Sequence, residues 1–191
     1  MEPNRFRTPF TGTFARPALS NREQRLGVVQ QLTKAPETIP PCTFILNGKP
    51  MSTFNCNGAL YNAFSGLNNK INKRDYVCEA GEGAIPPGTY FIVERQTGGR
   101  LGWLYDAFGG QDEWFALYAN DGSIDDQTFC NKVRRGEFRL HPKGPRGISQ
   151  GCITIERKVD FMAIRNTLIN AKRIPIPALP GTLAFGTVIV K

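Results

Sequence analysis

From Cys42 onward, short apolar runs alternate with clusters of Gly, Pro, Asn and Asp, the rhythm of strands and turns. The stretch TFILNGKPMSTF (43–54) reads as a hairpin around Asn47-Gly48, ALYNAFSG (59–66) as a strand ending at Gly66, and TYFIVERQTGGRLGWLYD (89–106) as a hairpin around Gly98-Gly99. EWFALYA, GEFRLH and CITIE add further strands. One segment departs from the rhythm. In RKVDFMAIRNTLINAKR (157–173), Phe161, Ile164 and Leu168 recur at helical spacing, with Asp160 early and Lys172-Arg173 late as the helix dipole prefers. A helix packed on a sheet is expected there. IPIPALPG then turns the chain into a last strand, TLAFGTVIVK. The fold expected is mainly β with one helix.

Residues 1–41 differ. They are rich in Arg, Pro, Thr and Gln, close with PETIPP, and hold one short helix-compatible stretch, NREQRLGVVQQL. They read as an arm that precedes a domain spanning 42–191. At 191 residues the chain suits a single domain with a core that needs no obligatory staples.

Charge widens the set of partners. Against 16 acidic residues stand 24 Lys and Arg, a net charge of +8, which fits an anionic partner: a bacterial envelope surface, an acidic substrate or inhibitor, or nucleic acid. The basic residues come as pairs (Lys73-Arg74, Arg134-Arg135, Lys172-Arg173), the pattern of a solvated surface. Without a zinc-finger spacing, an RNP-type strand or a basic heptad helix, no specific nucleic-acid binding is expected. The N-terminus lacks the apolar stretch of a secretory signal, and no apolar run approaches the length of a membrane span. A role outside the cytoplasm would then require another machine to carry the chain.

Five cysteines (Cys42, Cys56, Cys78, Cys130, Cys152) form no C-x-x-C pair, and a single histidine cannot build the usual mixed zinc site, so neither metal nor cofactor is expected. Two readings stay open: two disulfides among the first four, in any of three connectivities, with Cys152 left as a thiol, or five reduced and buried cysteines.

The single histidine, His141, lies in FRLHPKGPRGISQGCITIE (138–156), eleven positions before Cys152. It ends one expected strand and Cys152 begins the next, while Pro142, Gly144, Pro145 and Gly147 bend the loop between them. Imidazole and thiol can therefore meet at one rim. A thiol of pKa about 8.5 is only a few per cent thiolate at neutral pH, and an adjacent imidazole both takes its proton and stabilises the anion. Gly151 lets the backbone turn tightly and a substrate carbonyl approach peptide N–H groups, and Ser149 is placed to bond the imidazole or the substrate. The plainer alternative is a half-exposed histidine and a core cysteine.

SQGCITI after an upstream histidine resembles the signature of the YkuD-like L,D-transpeptidase catalytic domain, and AIPPGTYFIV (84–93) resembles that superfamily's Thr-Pro-x-Gly-x-Tyr strand entry. The sequence is more similar still to the domain of type VI secretion L,D-transpeptidase-like effectors, whose order AFSG, GAIPPGTY, WFALYANDGSIDD, RGEFRLHPKG and SQGCITI it follows over about Cys42 to Val190. The resemblance implies a YkuD-like β-sandwich or barrel with one helix packed after the catalytic cysteine. It makes Cys152 the nucleophile, His141 the general base and acid, the Gly151 and Cys152 N–H groups oxyanion donors and Ser149 a supporting residue, with Arg139 and Ser65 as weaker candidates for the pocket wall. Gln150 replaces the histidine that usually precedes Gly-Cys, Thr154 replaces the arginine two residues after the cysteine, and the gap from histidine to cysteine is short.

What the resemblance implies functionally is an antibacterial effector. Made without a signal peptide, it would be delivered to the periplasm of target bacteria by the type VI secretion apparatus and opposed by a periplasmic immunity protein. It would attack peptidoglycan peptide stems as an L,D-carboxypeptidase or by D-amino-acid exchange. The alternatives are a housekeeping L,D-transpeptidase that crosslinks its owner's wall, or a non-catalytic basic module for cell wall or nucleic acid.

Overall fold

A computed structural model describes residues 37–94 and 113–191. The expected arm and its helix-compatible stretch, and the turn at Gly98-Gly99, lie outside or almost wholly outside these residues.

Eight strands close a barrel. In chain order they begin with β1 (Cys42–Phe44), β2 (Ser52–Cys56), β3 (Ala59–Phe64), β4 (Gly88–Glu94) and β5 (Phe115–Ala119). A separate hairpin follows, β6 (Gln127–Cys130) and β7 (Val133–Gly136), and then the barrel strands β8 (Arg139–Pro142) and β9 (Ile153–Ile155). After the helix α1 (Lys158–Asn170) come the short pair β10 (Ile174–Pro175) and β11 (Leu183–Ala184) and the last barrel strand β12 (Gly186–Val190). Around the barrel the order is β1-β12-β4-β5-β8-β9-β3-β2.

Period-two side chains fill the interior. Phe44, Phe54, Tyr90, Ile92, Leu117, Leu140, Ile153, Ile155, Val188 and Val190 point inward and are almost wholly buried. Phe161, Ile164 and Leu168 of α1 join this core, on the order of 2 kcal/mol of hydrophobic burial each. The expected helical face is thus the observed one. Its basic end is not, because α1 stops at Asn170 and Ala171 is already extended. The Lys172 N–H instead bonds Glu37 O at 3.0 Å, and the Arg173 guanidinium lies 4.3 Å over the Phe185 ring.

Turn chemistry sets the registers. β1 and β2 form the expected antiparallel pair, but Asn47-Gly48 sits within a longer loop in which Asn47 Nδ2 donates to Met51 O at 3.1 Å. A tighter turn went unread: Asn57-Gly58 joins β2 to β3, with Cys56 opposite Ala59 and both turn residues at positive φ (52° and 83°). The β6–β7 hairpin was likewise not anticipated. It turns at Asn131-Lys132, again both at positive φ, with Asn131 as the only local signal. The last strand is broken into β11 and β12, and β11 pairs with β10 over a small outer cluster of Phe91, Val93, Ala116, Ile176 and Ala184.

Of the open cysteine readings, the disulfide one holds. Cys42 joins Cys56 across β1 and β2, Cys78 joins Cys130, and Cys152 is the free thiol. Among the described residues no helix is long and apolar enough to cross a membrane.

Candidate active site

β8 and β9 run parallel, with Leu140 beside Ile153 and His141 beside Thr154. Leu140 and Ile153 enter the core, so the alternate residues Arg139, His141, Cys152 and Thr154 all lie on the opposite, outward face. Sequence spacing anticipated that His141 and Cys152 share a rim; the parallel pairing puts them on one face of adjacent strands. Both line a cavity of about 370 Å³, together with Trp114, Asp126, Arg134, Arg135, Glu137, Ser149 and Gln150.

The imidazole is held in one orientation. Its Nδ1 lies 2.8 Å from Pro142 O, an atom that only accepts, so Nδ1 carries the proton and Nε2 is left as an acceptor. Thr154 Oγ1 stands 3.3 Å from Nε2 and donates to it. Trp114 stacks on the ring, centroids 4.3 Å apart and planes 20° from parallel. Imidazole and its partner Thr154 are both buried. Thr154, beside His141 across the parallel pair, is thus its hydrogen-bond partner.

The thiol sits deeper than an ordinary surface cysteine. Cys152 Sγ lies 3.9 Å from Glu137 O, to which it donates, and Glu137 is itself at φ 56° with its N–H bonded to Asp126 O at 2.9 Å. Burial pushes the thiol up to about 11, against the opposing pull of the Arg139 guanidinium and backbone N–H. At neutral pH Cys152 is thus the neutral thiol, not the few per cent of thiolate expected of an unperturbed cysteine.

Arg139 lines the cavity as expected, but in a pair. Its Nη1 donates to Asp126 Oδ1 at 2.7 Å and its Nη2 to Asp126 Oδ2 at 2.5 Å, a bidentate geometry. Burial lowers its pKa and the Asp126 bonds and charge raise it, with a net rise, so the guanidinium is a permanent but compensated cation beside the thiol. Ser149 does not bond the imidazole: its Oγ donates to Cys152 O at 2.7 Å and braces the turn. Ser65 is not a wall residue. Fully buried, it accepts from Ile85 N–H at 2.8 Å and donates to Gly151 O at 3.3 Å, holding the turn from behind.

Gly151 is required by both backbone and space. At φ 108° it occupies a region that side chains disfavour, and a Cβ there would stand 2.8 Å from Arg135 Nη2 and 2.9 Å from Phe138 Cε1. Gly151→Ala should therefore lower stability by about 1–3 kcal/mol, measured by denaturant unfolding, and displace the Gly151 and Cys152 N–H groups from their present direction.

Four contributors escaped sequence reasoning: Trp114, Asp126, Arg135 and Glu137 reach the cavity from strand ends and a hairpin whose proximity no local pattern encodes. Arg134-Arg135, read as solvated surface, splits: Arg134 is exposed, whereas Arg135 is only 5% exposed and turned inward.

Residues 59–179 match the Tlde1 domain family, well over half of the chain and all of the cavity's lining residues. The chain belongs to the Tlde1 domain family, a family of type VI secretion effectors. No curated protein and no solved structure matches it. Membership of the Tlde1 domain family fits delivery to target cells by the type VI apparatus and the company of an immunity protein.

Proposed function

We propose that this Tlde1-domain protein is an antibacterial effector that cleaves peptidoglycan tetrapeptide stems by a Cys152–His141 mechanism, on a barrel of YkuD-like L,D-transpeptidase type. The observation that carries the reading is the placement of the free thiol and a tautomerically fixed imidazole on one face of paired strands, in one cavity. In the proposed reaction the Thr154 hydroxyl turns its proton away from His141 Nε2, which takes the Cys152 proton as sulfur attacks the carbonyl of the diamino acid at the third stem position. The N–H groups of Gly151 and Cys152 receive the developing oxyanion. His141 then returns the proton to the leaving nitrogen, the C–N bond breaks, D-alanine departs, and a thioester remains. Water attacking that thioester completes an L,D-carboxypeptidase cycle, and the amine of a free D-amino acid completes an exchange.

Small acceptors are favoured by the rim. Gln150 and the short Pro/Gly-rich loop from Pro142 to Gly147 offer little surface on which to orient a second bulky stem, and orientation is what makes amine attack efficient. Digestion of tetrapeptide-rich peptidoglycan, read by mass spectrometry, should therefore give tripeptides, incorporate added D-methionine at the fourth position and yield few 3-3 crosslinks. Mainly 3-3 dimers would replace this reading with that of a crosslinking transpeptidase. The two disulfides and the basic surface suit an oxidising, anionic envelope, so the protein should be harmless in the cytoplasm and toxic when directed to the periplasm.

One observation favours a second reading, a non-catalytic cell-wall module: the raised thiol pKa is that of an inert cysteine. Binding of the wild-type protein to purified peptidoglycan with no stem cleavage would favour it.

A further inference from the structure

The cavity holds two buried arginines with different charge balance. Arg139 is neutralised by Asp126. Arg135, on β7, gives its bonds to carbonyls alone: Nη1 to Val77 O and, at 3.4 Å, to Ala84 O, and Nη2 to Gly83 O at 2.9 Å. Among the described residues no carboxylate pairs with it, and its guanidinium lies 5.4 Å over the Phe138 ring. Burying a long cationic side chain costs rotamer entropy and hydration, and three carbonyls satisfy its donors without neutralising its charge. The cost is incurred at one particular place: Nη2 occupies the space a side chain on Gly151 would take, one residue before the nucleophile.

We propose that Arg135 is the positioning residue of the Cys152 chemistry, a fixed cation that braces the Gly151–Cys152 turn and supplies the uncompensated positive charge toward which the thiolate and oxyanion develop. The catalytic part of this inference rests on the Cys152–His141 reading. Three further features agree with it. The guanidinium lines the same cavity as the thiol. Burial lowers its pKa, opposed by interaction with Tyr90 and, after it, with Cys152. Ser65 on the Gly151 carbonyl and Ser149 on the Cys152 carbonyl hold the turn so that the charge has a fixed target. The carbonyl cradle of Arg135 is fixed too, since Cys78, next to Val77, is bonded to Cys130 on the same hairpin as Arg135.

The test uses the full-length protein with both disulfides intact, so that Cys152 alone alkylates. Iodoacetamide labelling is followed from about pH 6 to about pH 11 in wild type, Arg135→Gln and Arg135→Lys, beside melting temperature and the kcat and KM of D-alanine release from a tetrapeptide. In Arg135→Gln alkylation should be roughly tenfold slower at each pH below the wild-type midpoint, as a thiol midpoint raised by about one pH unit requires, with kcat lower by about 10²-fold and KM within about threefold. Arg135→Lys keeps the charge but not the fork, and should fall between the two. A clamp that acted through stability alone would lower the melting temperature and leave the alkylation rate where it was at every pH; that result overturns the proposal. If Arg135→Gln does not fold, Arg135→Lys decides, and an unmoved alkylation rate with unmoved kcat refutes the role. Wild type that cleaves no stem while its alkylation still depends on Arg135 sinks the peptidoglycan reading and keeps the assignment of the cation. Cleavage that ignores both substitutions does the reverse.

Discussion

Replacing Cys152 with alanine should reduce release of D-alanine from tetrapeptide stems to background, a loss of about 10⁴-fold or more, because the proposed covalent intermediate forms on its sulfur. The fold should persist: the side chain is small, half-buried and makes only a weak 3.9 Å contact to Glu137 O. His141→Ala should fall nearly as far, and the double variant no further, since the two act on one proton. Activity surviving in folded Cys152→Ala would end the covalent mechanism. The pH dependence carries the same argument. With the thiol pushed up to about 11, alkylation should climb about tenfold per pH unit through the neutral range without levelling near 8.5. The sign for stability follows from burial of a neutral thiol: the contribution is complete below the unfolded value of about 8.5 and is lost as pH rises through the folded one. Denaturant midpoints measured on either side of that window check it, and a Cys152→Ala protein should show less of the alkaline decline.

Removing the Cys78–Cys130 bond is the second large effect. It closes a loop of 52 residues, for which the chain-entropy relation gives about 4 kcal/mol of stabilisation. Cys78→Ala with Cys130→Ala should lower the unfolding free energy by that order in urea titration. Function should suffer beyond stability, because one end of the bond lies next to the Val77–Ala84 carbonyl cradle and the other on the hairpin that brings Gln127, Arg134 and Arg135 to the cavity. At temperatures where the double variant is still folded, D-alanine release and Cys152 alkylation should both be slowed. An unchanged urea midpoint would mean that packing alone holds the hairpin, and an unchanged alkylation rate would mean that the cavity does not depend on the tether.

On the proposed periplasmic reading, a chain made in a reducing compartment and acting in an oxidising one completes its cavity wall on arrival.

Much of this molecule is written locally. The core face of α1 follows from the spacing of Phe161, Ile164 and Leu168, and several strands follow from short apolar runs, because a helix or a strand must bury one periodic face and the period is visible in the chain itself. The shared rim of His141 and Cys152 was legible for a related reason: one histidine, one loop of Pro and Gly, and one cysteine at a strand start lie within a few turns of chain. Asn57-Gly58 was legible in principle, as a two-residue turn between alternating runs. What the tertiary structure alone decided is who stands beside whom across long separations. The parallel pairing of β8 with β9 chose the face that carries the dyad, Trp114 was brought onto the imidazole from the start of β5, and Ser65 was placed behind Gly151 from β3's far side. Arg134 and Arg135 are identical in sequence terms, yet the pleat of β7 leaves Arg134 at the exposed rim of the cavity and buries Arg135 against the Val77, Gly83 and Ala84 carbonyls, because strand neighbours face opposite ways and only the packed barrel determines which way is in.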